Sequence, residues 1–356
     1  MSASIPDEMI VETTSRMLAE LCGQEVVEAG EAGTWPADLW QALEESGLSL
    51  AWVPEARGGP GAGLADGFAV ARLAAGAAAP VPVAETLLAG WLLAEAGIEP
   101  PAGPMTIAPV EGADAIAMTE DGTLRGVAES VPFAAQCGHM AVVATGAGGP
   151  VVALVDAGAC GIAPGAGTTG DPRDRVTFES VTPLTLATNV PAGIGEWLRR
   201  MGAAVRAHQM AGALDRALEQ SLQYAQDRVQ FGRPIAKFQA IQHNLAMLAG
   251  EAAAAAAAAD AATGAIERHG IDDDRALVAV ASAKIRAGEA AGAGAALAHQ
   301  VHGAIGFTRE YSLQQRTRRL WAWRDEFGPE TAWALELGRF VANEGADALW
   351  PRLTSI

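Results

Sequence analysis

Arg228, Gln230 and Phe231 stand almost side by side, followed at once by Gly232, Arg233 and Pro234. An arginine is a permanent cation with a planar fork of donors, suited to a pyrophosphate. Gln230 can donate and accept at the same place. Phe231 offers a flat apolar face for an adenine. Gly232 tolerates positive φ and fits the end of a helix. About 70 residues further on runs Gln300-Val301-His302-Gly303-Ala304-Ile305-Gly306-Phe307-Thr308. A glutamine followed by a Gly-rich turn lets backbone N–H groups come close to a phosphate or ribose.

These strings need long elements to hold them. Segments 194–230, 235–268, 272–302 and 311–345 carry apolar residues at i, i+3, i+4 spacing, which predicts a bundle of long antiparallel helices. Gly270 with Asp272 to Asp274, and Gly303 to Thr308, mark connections. Residues 104–187 have another texture: β-prone runs at Met105 to Val110, Ala113 to Thr119, His139 to Thr145, Val151 to Asp156 and Arg175 to Glu179. They read as a small antiparallel β domain. Residues 1–103 read as helices: Met9 to Cys22, a second opening at Pro36, one from Asp66 to about Ala79, and Glu85 to Ala96. The Gly- and Pro-rich loop Trp52 to Gly61 lacks a following Gly-Lys-Ser/Thr and is not a phosphate loop. The expected fold is α+β and mostly helical, with an N-terminal helical domain (1–103), a middle β domain (104–187) and a C-terminal helical bundle (188–356).

The composition excludes several classes. With 356 residues, 50% of them hydrophobic and 19% charged, the chain is globular. A net charge of -18 argues against nucleic acid. Cys22, Cys137 and Cys160 are scattered, which predicts a reduced compartment and no metal site. The first residues lack a basic and apolar leader pattern, and no apolar run is expected to reach membrane-spanning length; the Ala-rich stretch 252–259 reads as a soluble helix. A cytoplasmic protein is expected.

Tyr224 to Gln242 reads Y-x-x-x-R-x-Q-F-G-x-P-I-x-x-F-Q-x-I-Q. This resembles the signature of the acyl-CoA dehydrogenase flavoproteins. Gln300 to Phe307 resembles the family's Q-x-x-G-x-x-G-F element, and the order P-E-x-x-G-G-x-G, helix, A-P-x-P, helix near the N-terminus is similar to its first domain. The resemblance implies FAD, with Arg228, Gln230, Phe231, Gln300 and Gly303 on its ADP half, across a subunit boundary from the flavin ring. It implies α,β-desaturation of an acyl-CoA, with electrons passing to an electron-transfer flavoprotein.

Three departures qualify that expectation. The family's flavin-contacting loop is reduced here to Thr119-Glu120, ahead of an ordinary turn at Asp121-Gly122. The two family positions for the catalytic glutamate hold Phe327 and Ala203, leaving Glu326, one residue early, as the local candidate base. The chain is also short. Short, Ala-rich members of this kind form one half of heteromeric (α2β2) dehydrogenases of bulky CoA thioesters such as steroid side chains, and share each FAD with a paralogous subunit. A homo- or hetero-tetramer is therefore expected. The alternatives are a flavin-dependent monooxygenase or oxidase of the same fold, and a non-catalytic partner of an active paralogue. His208, His243, His269, His299 and His302 are read as core or surface, and the cluster Arg316, Arg318, Arg319, Arg324 as an interface pairing surface.

Overall fold

A computed structural model describes residues 5–110, 115–165, 167 and 169–354. Within it the chain forms two compact units, one of residues 5–71 and 80–202, the other of residues 72–79 and 203–354.

The first unit opens with helices α1 (Glu8–Leu21), α2 (Gln24–Glu31) and α3 (Ala37–Glu45), and continues with the start of α4 (Leu64–Ala77) and with α5 (Val83–Glu95). Asp7 caps α1, its carboxylate accepting from the Met9 amide at 2.8 Å. Residues Val83 to Leu93 are buried without a break, which explains why α5 is apolar all round. The short α2 escapes the sequence pattern because only Val27 of it is buried.

The sheet of this unit runs β6-β7-β3-β2-β4-β5-β8, with β1 on the side of β4. Its strands are β1 (Met105–Ala108), β2 (Ala115–Met118), β3 (Leu124–Pro132), β4 (His139–Gly146), β5 (Gly149–Asp156), β6 (Gly161–Ala163), β7 (Arg173–Val181) and β8 (Thr185–Ala187). The predicted run from Ala113 begins on residues 113 and 114, which lie outside the described residues. The sheet is mixed rather than antiparallel: β1 and β2 both pair parallel with β4. Strands β3, β6 and β8 are missing from the sequence reading, and β3 is central. Its alternation is broken by Gly126 and by a register shift between Ala128 and Val131. Gly126 is required there, because a Cβ would lie 2.1 Å from the Ala115 carbonyl oxygen.

The second unit contains α6 (Ile194–Asp227) from Ala203 onward, α7 (Gln239–His269), α8 (Asp274–His302), α9 (Leu313–Asp325), α10 (Glu330–Glu344) and α11 (Ala346–Thr354). Gly270, at φ +87°, ends α7, and Asp273 caps α8 by accepting from the Arg275 amide at 2.8 Å. The predicted segment 311–345 is two helices, parted where Phe327 (φ +55°), Gly328 (φ +97°) and Pro329 interrupt the helical path. Helix α7 corrects the expectation about apolar runs: by length and composition it is capable of crossing a bilayer. Its apolarity comes from alanine, and Leu245, Leu248, Ala252, Ala255, Ala259 and Ala262 are buried, so it reads as a bundle helix.

Candidate functional site

Helix α6 ends at Asp227, and the chain then makes a two-stranded ribbon, β9 (Val229–Gln230) against β10 (Arg233–Pro234), with Gln230 opposite Arg233. Only Phe231 and Gly232 form the turn, at φ +51° and +78°. This two-residue geometry normally calls for Asn or Gly. A phenylalanine in the left-handed region costs on the order of 1–2 kcal/mol. Phe231 is also 92% exposed, so burial does not compensate. Its ring meets only the edge of Phe238 at 6.1 Å, and Arg233 lies over the other aromatic, 4.3 Å from the Phe238 centroid. Strained backbone positions of this kind cluster at ligand clamps and switch regions.

Arg228 is exposed, and its guanidinium has no hydrogen bond or ion pair among the described residues, in a chain of net charge -18. Gln230, Gln300 and Gly303 are exposed as well. The fold joins the two strings. Tyr224 stacks on His302 (4.5 Å, 25°), and Tyr311 closes on the same imidazole at 4.9 Å. Beneath them Ala225, Leu245 and Val301 form a small core with Ile235 and Ile241 packed on it. Gly303, at φ +65°, starts the turn that runs to Phe307. The unit thus presents an exposed cation, an exposed aromatic face and a Gly turn, groups whose chemistry can meet an adenine nucleotide.

Glu326 is placed differently. It is buried, and its Oε2 accepts from Arg206 Nε at 2.6 Å. Arg206 is 0% exposed, also donates to Gln209, and lies 5.5 Å over the Phe327 ring. Lys284, buried too, donates from Nζ to the carbonyls of Arg324 (2.6 Å) and Gly328 (2.9 Å), and Trp333 Nε1 donates to the Phe327 carbonyl at 3.0 Å. These bonds pin the α9–α10 turn from three sides. The signal in the sequence was a lone cation in each of two largely apolar runs, Ala203 to Ala207 and Ala279 to Ile285, which the reading passed over.

Burial pushes the Lys284 ammonium down to about 8; Glu330, Glu326 and Asp325 pull it up and Arg206 pushes it down. The unfolded chain therefore holds this proton up to about pH 10.5 and the folded chain only to about 8. Between those values the unfolded state binds more protons, so stability rises with pH across the window, by an amount on the order of 3 kcal/mol. Urea unfolding from pH 7.5 upward should show that rise in the native sequence and lack it in Lys284→Met.

The remaining candidates resolve into structure. Thr119 to Thr123 is an ordinary turn: Gly122 (φ +80°) donates to the Thr119 carbonyl, and the Thr119 and Thr123 hydroxyls hold the Asp121 carboxyl at about 2. The arginine cluster is corrected. Arg316 is buried and donates to the carbonyls of Gly76, Ala77 and Ser312, Arg319 donates to the Gln315 carbonyl, and Arg324 pairs with Glu330 at 2.6 Å. These cations serve their own unit. His208 is a core residue, 2.8 Å from Thr263 Oγ1, and burial drives its pKa down to about 3.

Helices, a mixed sheet and a helical bundle make the helical–β–helical fold of the acyl-CoA dehydrogenases. Residues 6–100 match the family model for the acyl-CoA dehydrogenase N-terminal domain, and residues 199–329 match that for the C-terminal domain. The chain belongs to the acyl-CoA dehydrogenase family, whose members are oxidoreductases of the CH–CH bond of acyl-CoA and carry FAD. It is 30% identical to acyl-CoA dehydrogenase IpdE2 of Mycobacterium tuberculosis, over 88% of this chain and 90% of that one. The fold is shared with the ChsE4-ChsE5 complex of Mycobacterium tuberculosis (TM-score 0.88, 22% identity, 97% of this chain and 100% of the other). It is shared also with the acyl-CoA dehydrogenase complexed with FAD from Bacillus anthracis (TM-score 0.75, 21% identity, 91% and 64%).

Proposed function

We propose that this chain is one subunit of an FAD-dependent acyl-CoA dehydrogenase, and that it completes a FAD site shared with a paralogous subunit. The reading rests above all on Arg228: an exposed guanidinium without a counter-ion among the described residues, beside a phenylalanine at positive φ on a two-residue turn. Arg228 and the Gly303 turn would hold the pyrophosphate, Gln230 and Gln300 the ribose or phosphate oxygens, and Phe231 the adenine. When bound, FAD supplies the acceptor for the β-hydride of the acyl group. Electrons would then leave to an electron-transfer flavoprotein. We place the protein in the cytoplasm, on its charge and cysteine content.

Abstraction of the α-proton needs a carboxylate free to receive it. Glu326 is committed to Arg206 inside the core. In our reading it is the counter-ion of that arginine and the reacting carboxylate belongs to the other subunit. Bulky CoA thioesters, steroid side chains among them, are the substrate class that suits such a heteromer.

The visible spectrum and FAD-to-chain ratio of the protein purified alone test this. Little or no FAD, restored to full occupancy when a paralogous subunit is co-expressed, is the expected outcome. A yellow protein with one FAD per chain, bleached by an acyl-CoA, would instead mean a self-sufficient enzyme and return Glu326 to candidacy. A second measurement bears on Phe231. Phe231→Asn relieves the left-handed strain, so the unfolding free energy should rise by about 1 kcal/mol while FAD retention falls. A loss of stability would mean that the ring supports the fold.

A further inference from the structure

Of the 24 lysines and arginines in the chain only two are lysines, Lys237 and Lys284. An arginine stays protonated, whereas a lysine amine is a nucleophile and the target of acylation. The two lysines differ in access. Lys284 is 0% exposed, and its Nζ is committed to the carbonyls of Arg324 and Gly328. Lys237 is exposed and has no hydrogen bond or ion pair among the described residues. It is the one accessible side-chain amine of a chain whose family acts on acyl-CoA thioesters, which are acyl donors. Its backbone is held in place. Lys237 ends the short turn Ile235–Lys237, whose first amide donates to the Arg228 carbonyl at 2.8 Å. Ile235 and Ala236 pack on the Ala225, Leu245, Val301 core, and Gln242 Nε2 donates to the Ala236 carbonyl at 2.9 Å. Just past Lys237, α7 opens beside a shallow groove lined by Gln239, Ala240, Gln242 and His243. That groove gives a thioester a place to lie alongside the amine. With Arg228 and Arg233, Lys237 makes three cations within ten residues, in a chain of net charge -18.

We propose that Lys237 is a modification site, at which an acyl-CoA thioester transfers its acyl group to Nζ and thereby weakens cofactor retention. The neutral amine attacks the thioester carbonyl. A C–N bond forms as the C–S bond breaks, and CoA leaves as the thiol with the proton taken from the nitrogen. The amide carries no charge, so the ribbon falls from three cations to two. Its attraction for the FAD diphosphate falls with them, and acyl-CoA that accumulates unconsumed restrains the loading of the enzyme that would consume it. The effect on FAD rests on the reading of Arg228 as the pyrophosphate clamp; the acylation itself does not.

Incubation of the full chain with acetyl-CoA, followed by intact mass and peptide mapping, tests the site. One acetyl group on Lys237, acquired about tenfold faster than by an N-acetylated peptide of residues 233–243, is the expected result. An equal rate, or acetylation confined to the N-terminus, would mean an adventitious adduct and overturn the proposal. FAD titration tests the consequence. The acetylated protein and Lys237→Gln should each bind FAD about threefold more weakly. In Lys237→Arg, which keeps the charge and lacks the amine, FAD affinity should not respond to acetyl-CoA. If the acetylated protein and Lys237→Gln bind FAD as the native chain does while Arg228→Ala weakens it, the regulatory role is wrong and the clamp stands. If Arg228→Ala leaves FAD affinity unchanged as well, both readings fall.

Discussion

Glu326→Ala should cost about 3–5 kcal/mol of folding stability, the largest effect expected of any single truncation in the chain, because it leaves a buried guanidinium without its counter-charge. Arg206 is 0% exposed and its Nε is bonded to Glu326 Oε2 at 2.6 Å. Solvent cannot reach in to replace the lost acceptor. Domains carry only about 5–15 kcal/mol in total, so the variant should unfold at markedly lower urea and express poorly. Two companion variants make the result specific. Glu326→Gln keeps one acceptor oxygen and should lose less. Arg206→Met combined with Glu326→Leu removes both charges for apolar bulk, and should recover much of the loss, since a buried pair is often replaceable as a pair. A catalytic base behaves in the opposite way. If Glu326→Gln abolished flavin bleaching by acyl-CoA at native stability, the carboxylate would be reacting with substrate, and its assignment as a counter-ion would be wrong.

Arg228→Ala should have the complementary signature: fold intact, cofactor lost. The side chain is exposed and bonded to nothing among the described residues, so stability should stay within about 0.5 kcal/mol. A bidentate guanidinium–pyrophosphate contact, by contrast, is among the strongest neutralising contacts a side chain makes. Its loss should weaken FAD on the order of a hundredfold. Arg228→Lys keeps the charge but not the planar fork, and should fall between the two. FAD titration followed by flavin fluorescence reads the series. Native FAD affinity in Arg228→Ala would remove the clamp and leave the strained Phe231 without an explanation.

The two variants divide the candidate site as the sequence itself did. The ribbon after α6 was legible because its residues are local. Tyr224 to Phe238 carries its cation, its ring and its turn-forming Gly232 and Pro234 within one short string, and a turn of two residues fixes their relation whatever the rest of the chain does. The long helices were legible for a similar reason: α6, α7 and α8 repeat their apolar residues over many turns, and Gly270, Asp273 and Gly303 punctuate them.

What the tertiary structure decided is everything that depends on residues far apart in sequence. Glu326 sits 120 residues from Arg206, and no local pattern tells a carboxylate awaiting a proton from one holding a buried cation. Arg316 finds its acceptors on Gly76 and Ala77, some 240 residues away, so a cluster that looked like a surface for a partner turned inward. Strand β3 lay hidden because a bulge and the close approach at Gly126 break the alternation by which strands are recognised. The parallel pairing of β1 and β2 with β4 follows from sheet order, which strand propensity does not encode. The sequence alone determined the exposed groups of the ribbon and the helical frame, because both are written in short-range spacing. Charge pairing, burial and sheet order had to await the folded chain, since they depend on which distant backbone and side-chain groups are left to satisfy one another.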